Sequence, residues 1–284
     1  MADRPKPDPF SLKTRKDRAE AEAPYVHIYC GGAVCVTDDR GAATPRARSP
    51  VELVVDASNG FIPLWDRDVT LRWRFQERSL TAFRRPDAAK EYLRELLGEG
   101  VLLWGDAQPV RFAEVRDGWD FEFVARPSAR CSENGCVLAS AFFPDGGQHE
   151  LVVYPTLFEQ SREEQVETMA HEVGHIFGLR HFFAQISETA WPSRIFGDHS
   201  PFSIMNYGPD SRMTERDQED LKELYRLAWT GEMTEINGTP IRLVRAFSDL
   251  REPRPQIALA AATKPSPVEE CWAGRPKACG PKGA

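Results

Sequence analysis

Residues 171–181 read His-Glu-Val-Gly-His-Ile-Phe-Gly-Leu-Arg-His. His171 and His175 are four residues apart, so on a helix they share one face. Two imidazoles on one face can bind one zinc ion, and Glu172 beside them can handle a proton on water at the metal. His181 cannot join them on a continuous helix: at about 100° per residue it stands roughly 80° from His171 around the axis. Gly178 removes the difficulty. A glycine with positive φ can end the helix and turn the chain back, so that His181 reaches the metal from below. A bare His-Glu-x-x-His also fits an exposed polar helix face, but the full string of three histidines, Glu and Gly is much rarer by chance.

A second segment, Phe202-Ser203-Ile204-Met205-Asn206-Tyr207, lies further along. With His171-Glu172-x-x-His175-x-x-Gly178-x-x-His181 it resembles the metzincin zinc endopeptidases, Met205 standing at the Met-turn. Alone, Met205 would read as an ordinary core residue. The resemblance makes it an apolar floor beneath the imidazoles, where a polarisable thioether adapts to irregular packing. Within the clan the motifs divide. Tyr207 stands two residues after Met205, as in astacins and serralysins, where that Tyr ligates zinc and swings out to hydrogen-bond the reacting carbonyl oxygen. Residues 69–181, and Thr214-Glu-Arg-Asp217 leading into Leu221, Leu224 and Tyr225, look more like the matrixins. Phe182 replaces the Glu that follows the third His in astacins, and the matrixin Pro-x-Tyr after the Met-turn is missing. The resemblance covers roughly residues 61–230.

The resemblance implies an α+β fold: a twisted, mostly parallel sheet with an antiparallel edge strand, two long helices, and a smaller C-terminal subdomain with the Met-turn and a closing helix. The expected organisation is an N-terminal arm with possible added strands over 1–60 and a catalytic domain over 61–230. Its cleft would run between 61–181 and 182–230, and a short hairpin and tail fill 231–284. The implied activity is zinc-dependent peptide-bond hydrolysis with Zn2+ held by His171, His175 and His181. Glu172 would act as general base and then acid, and Tyr207 would steady the oxyanion. Two other readings stand beside it: a non-cleaving zinc-containing binding or regulatory module, and a protease with one narrow target. Glu172 and Tyr207 argue against the first, since a scaffold without turnover needs neither.

Composition bounds the alternatives. The 284 residues suffice for one large or two small domains, and 41% hydrophobic with 28% charged residues is ordinary for a globular chain. A net charge of −7 argues against a nucleic-acid partner, and the resemblance implies a peptide or protein substrate. No stretch approaches the apolar length of a membrane span, and the first ten residues lack the apolar core of a signal peptide. That predicts a cytoplasmic protein or one exported without a cleaved leader. The six cysteines fall in close pairs, Cys30/Cys35, Cys131/Cys136 and Cys271/Cys279, which suggests short disulfides. Asn134-Gly135 makes Cys131–Cys136 the best candidate, because it permits a tight turn between the sulfurs; a second zinc lacks nearby partners there.

The elements that must position these groups follow from periodicity. Residues 1–24, dense in charge and Pro, read as a disordered arm. Residues 25–36 and 51–55 are apolar enough for strands that form an added hairpin or extend the main sheet. Val69–Phe75 alternates as a half-buried strand, Asp87–Trp104 has helical spacing, and 110–115 and 119–125 are two more strands. Residues 137–143 and 150–154 form an antiparallel pair around Pro144-Asp-Gly-Gly147. By the resemblance, Leu138, Ala139, Ser140 and Ala141 belong to the edge strand above the cleft. Free backbone groups there can pair with a substrate peptide, although an edge strand can equally bind nothing. Ser161-Arg-Glu-Glu164 is a capping box for the metal helix, whose buried face is Val166, Met169, Ala170, Val173 and Phe177. Residues 182–204 read as a long connection in which His199 is a surface residue. Thr214 caps a last helix, Asn237-Gly238 turns a hairpin within 234–244, and the chain from 251 reads as disordered.

Overall fold

The computed structural model describes Phe10 and residues 33–34, 53–56, 60–132, 135–180, 193–196, 203–205 and 212–251. Backbone alone is described at 33–34, 53–56, 132, 193–196 and 251. The described residues all fall within one compact unit, and residues 253–284 lie outside them. In chain order the strands are β1 (Ala33–Val34), β2 (Leu53–Asp56), β3 (Ile62–Trp65), β4 (Thr70–Phe75), β5 (Arg111–Glu114), β6 (Phe121–Ala125) and β7 (Arg130–Ser132). They continue with β8 (Gly135–Val137), β9 (Ala139–Ser140), β10 (His149–Val153), β11 (Leu179–Arg180), β12 (Ser193–Phe196), β13 (Glu235–Ile236) and β14 (Thr239–Val244). The helices are α1 (Glu77–Leu80), α2 (Pro86–Leu102), α3 (Arg162–Ile176), α4 (Glu215–Thr230) and α5 (Phe247–Arg251).

The main sheet has the order β5-β4-β6-β10-β9. Its first four strands are parallel, and β9 joins β10 antiparallel, Val152 opposite Ser140 and Val153 opposite Ala139. This is the α+β arrangement expected from the sequence. Alternation in β4 points Leu71, Trp73 and Phe75 inward, where Trp73 and Phe75 meet Phe123 and Trp73 also stacks on Phe121. On α2 the residues Ala89, Leu93, Leu96 and Leu97 are buried at helical spacing, and α3 packs beside it with Met169, Ala170 and Val173. Buried apolar side chains from sheet and helices form one continuous core.

The capping box expected at Ser161 is formed, and the Thr214 cap expected for α4 is a full box as well. The Ser161 hydroxyl accepts from the Glu164 N–H while Glu164 reaches back to the Ser161 N–H, and Thr214 and Asp217 do the same for α4. The Asn237-Gly238 turn has φ of 49° and 76° between β13 and β14, as its dipeptide predicts. Pro240 is tolerated, and β14 continues as the parallel partner of β3. Cys131 and Cys136 form a disulfide across the β7–β8 hairpin. The other four cysteines lie outside the described residues.

Several expectations need correction. The N-terminal arm is not wholly unstructured: Phe10 stacks on Phe158 at 3.7 Å and meets Phe83 and Tyr92 edge-on. Low apolar density does not stop a single large ring from filling an aromatic socket. The two early strands neither pair with each other nor join the main sheet. β1 runs parallel to β8, while β2 lies between β11 and β12. Apolar runs show that a strand needs partners, not which ones. The segment 182–204, read as a connection, contains β12, a four-residue stretch too short to show a period. The edge strand over 137–143 is shorter than expected. Ala139–Ser140 pair with β10, Gly135–Val137 belong to the separate sheet β1-β8-β7, and Leu138 and Ala141 lie just outside β9. Among the described residues no helix is long and apolar enough to cross a membrane.

Candidate metal centre

Helix α3 carries His171, Glu172 and His175 in its last turns, all three buried. Nδ1 of His171 lies 2.7 Å from the Ile204 carbonyl oxygen, and Nδ1 of His175 lies 2.7 Å from the Leu179 carbonyl oxygen. A carbonyl only accepts, so each Nδ1 carries the hydrogen, and Nε2 of each neutral ring is the unprotonated nitrogen. The two Nε2 atoms stand 3.1 Å apart. Two nitrogens sharing a tetrahedral zinc at about 2.0–2.1 Å stand roughly 3.3 Å apart. Fixed tautomers with converging lone pairs are what one cation would require, so these two residues fit a shared metal.

Helix α3 ends where the sequence places its end. Gly178 has φ of 95°, and its N–H donates to the His175 carbonyl. A side chain there would also press on the Pro63 carbonyl at 3.3 Å. The chain then turns into β11, whose last residue is the neighbour of His181. His181 itself lies outside the described residues, as do Tyr207 and His199.

The resemblance implies an apolar floor at Met205. Met205 is buried below α3, and a Cβ added at Gly174 would stand 2.4 Å from its sulfur and 3.0 Å from Trp104. Gly174 is therefore the position that lets the helix settle onto Met205. Three supports for this floor escape a motif reading. Asp217 of α4 accepts from the Ser203 hydroxyl at 2.5 Å and the Ile204 N–H at 3.3 Å, while Ser203 Oγ accepts from the Met205 N–H. Its capping role alone was visible in sequence; a Ser at the start of the Met-turn was the one available clue. Trp65 donates its indole N–H to the Ile176 carbonyl at 2.6 Å. The Tyr225 hydroxyl donates to the Phe177 carbonyl and accepts from the Trp65 N–H. These two side chains satisfy the last carbonyls of the metal helix. Burial pushes the Tyr225 phenol well above its ordinary range, so it stays a neutral donor.

Beside the histidines, the Phe143 ring meets His175 edge-on at 5.5 Å, with the Arg180 guanidinium over Phe143 at 5.5 Å. Arg180 is fully buried. Ala139 and Ser140, on β9, lead directly towards this ring, whereas Leu138 is buried with its carbonyl accepting from the Tyr154 N–H. On α3, burial together with Glu163 raises the Glu167 carboxyl, and Arg212 partly opposes the shift.

No protein-family profile matches the chain. Human stromelysin-3 is 27% identical over 122 residues, 39% of this chain and 25% of that protein. Rat stromelysin-3 is 25% identical over 210 residues, 70% of this chain and 39% of that protein. The chain thus spans well under half the length of these relatives. Among solved structures, that of myroilysin aligns with a TM-score of 0.41 at 12% identity, over 61% of this chain and 98% of that one. The zinc-motif pattern and the sequence similarity to stromelysin-3 agree with each other: the chain resembles the metzincin metalloproteases and is similar in sequence to a matrixin.

Proposed function

We propose that the protein is a zinc-dependent endopeptidase. The observation that carries the reading is the pair of Nε2 atoms 3.1 Å apart, each ring fixed through its Nδ1 to a backbone carbonyl, with Glu172 buried on the next position of the helix. His171 and His175, with His181 by its place in the motif, are the residues that would hold zinc. Bound zinc would supply Lewis-acid polarisation of the scissile carbonyl and bring the pKa of water toward neutrality. Glu172 takes the proton from the attacking water and passes it to the leaving amine. Tyr207 donates to the developing oxyanion. The backbone around Ala139 and Ser140, at the free edge of the main sheet, pairs with an extended substrate peptide. Gly178 and Met205 shape the site and touch no substrate.

Glu172→Gln tests the reading. It keeps the shape of the side chain and removes its basicity, so cleavage of an unfolded protein substrate falls by about 10²–10⁴-fold while bound zinc is retained. Turnover close to that of the parent protein would show that another group is the base. A binding module without turnover would show no cleavage in the parent either.

A further inference from the structure

Strand β2 (Leu53–Asp56) lies before the region that carries the metzincin resemblance, yet it forms the centre of the sheet β11-β2-β12. Val55 stands opposite Leu179 and Val54 opposite Arg180. On its other side β2 pairs with Ser193–Phe196 along its whole length. Leu179 is also the residue whose carbonyl takes the His175 Nδ1 hydrogen bond, and Arg180 directly precedes His181. One short strand thus holds the backbone that orients the His175 imidazole. β11 has only two residues, and among the described residues β2 is its sole strand partner. A two-residue strand has little intrinsic order, so its position depends on the strand beside it.

We propose that β2 is a positioning element of the metal centre: through Leu179–Arg180 it fixes the His175 tautomer. The inference rests on the zinc reading for its metal consequence, but its structural core does not. Backbone partners behind a ligating histidine typically matter by 10–100-fold in metal affinity.

The test uses the full chain carrying Val54→Pro and Val55→Pro together. Successive N–H groups of a strand point to opposite sides, so the pair removes a donor toward each neighbour. Nitrogen NMR of the imidazoles is recorded on metal-free protein at a pH of about 8, above the ordinary imidazole pKa. In the parent protein both His171 and His175 show Nδ1–H. In the variant His175 alone shifts toward the Nε2–H form, while His171, held by Ile204, keeps its tautomer. Zinc competition then gives a dissociation constant raised about 10–100-fold. Val34→Pro, in β1 of the same N-terminal segment, leaves both readouts as in the parent protein. An unchanged His175 tautomer with zinc affinity within about twofold overturns the proposal. If the proline pair abolishes folding, hydrogen exchange of the parent protein decides: amides of 53–56 and 179–180 must be protected as one unit. Coil-like exchange at 53–56 with protection kept at 179–180 also overturns it. A parent protein that binds no zinc but shows the tautomer pattern sinks the endopeptidase reading and leaves this one standing.

Discussion

Gly174→Ala should destabilise this protein, although the same exchange stabilises most helices. Removing a helical glycine is worth about 1 kcal/mol through backbone entropy and propensity. Here the new methyl carbon would lie 2.4 Å from the Met205 sulfur and 3.0 Å from the Trp104 ring. Met205 and Trp104 are both buried, so neither can swing aside into solvent. Overpacking of this kind costs about 1–3 kcal/mol, and a contact this deep belongs near the upper end. The net loss is about 2 kcal/mol, a fall in Tm of roughly 4–8 °C for a compact unit of this size. A double-mutant cycle isolates the cause. Met205→Ala alone costs about 2–5 kcal/mol as a cavity, but in that background Gly174→Ala meets no sulfur and loses most of its penalty. The expected coupling is about 2 kcal/mol, read from thermal or urea unfolding of the metal-free proteins. A rise in Tm for the single Gly174→Ala variant, or strict additivity in the cycle, would refute the packing of helix against Met-turn.

Three further outcomes follow from other contacts. Asp217→Ala leaves the buried Ser203 hydroxyl and the Ile204 N–H without their acceptor. It should cost about 2–4 kcal/mol in urea unfolding, at roughly 1–3 kcal/mol per unsatisfied group, whereas loss of a simple helix cap would cost about 1 kcal/mol. Tyr225→Phe removes the hydroxyl shared by Phe177 and Trp65 and should lower stability by about 1–3 kcal/mol without altering the far-ultraviolet spectrum. Burial raises the Glu167 carboxyl, so its charged form is disfavoured by folding. The penalty appears as pH climbs from the unfolded value near 4.3 through the raised folded one and persists above it. Glu167→Gln should therefore raise Tm slightly at neutral pH, with the gain gone at a pH of about 3; a gain that persists there would contradict the assignment.

The parts legible in sequence were those fixed by local chemistry. The capping box at Ser161, the Thr214 cap, the Gly178 turn and the Asn237-Gly238 hairpin each depend on a few adjacent residues, and each is formed. Alternation placed β4, and helical spacing placed α2 to within two residues. The strand directions of the main sheet came from the resemblance rather than from periodicity, and its order from the structure. What escaped was long-range. Nothing adjacent in sequence connects Trp65 with Ile176, Asp217 with Ser203, or Val55 with Leu179. Phe10 was lost among charges and prolines because pattern reading averages over a window, while a ring needs one socket. At the site itself, the common face of His171 and His175 was legible because four-residue spacing on a helix settles it.

The central claim is most directly tested by metal analysis of the protein purified without chelator, together with His171→Ala, His175→Ala and His181→Ala. The account predicts about one equivalent of zinc in the parent protein and its loss from each variant under mild dialysis, because two remaining protein ligands hold the ion poorly. Full zinc in any one of the three variants would remove that residue from the ligand set. A parent protein that takes up no zinc would contradict the zinc-endopeptidase reading.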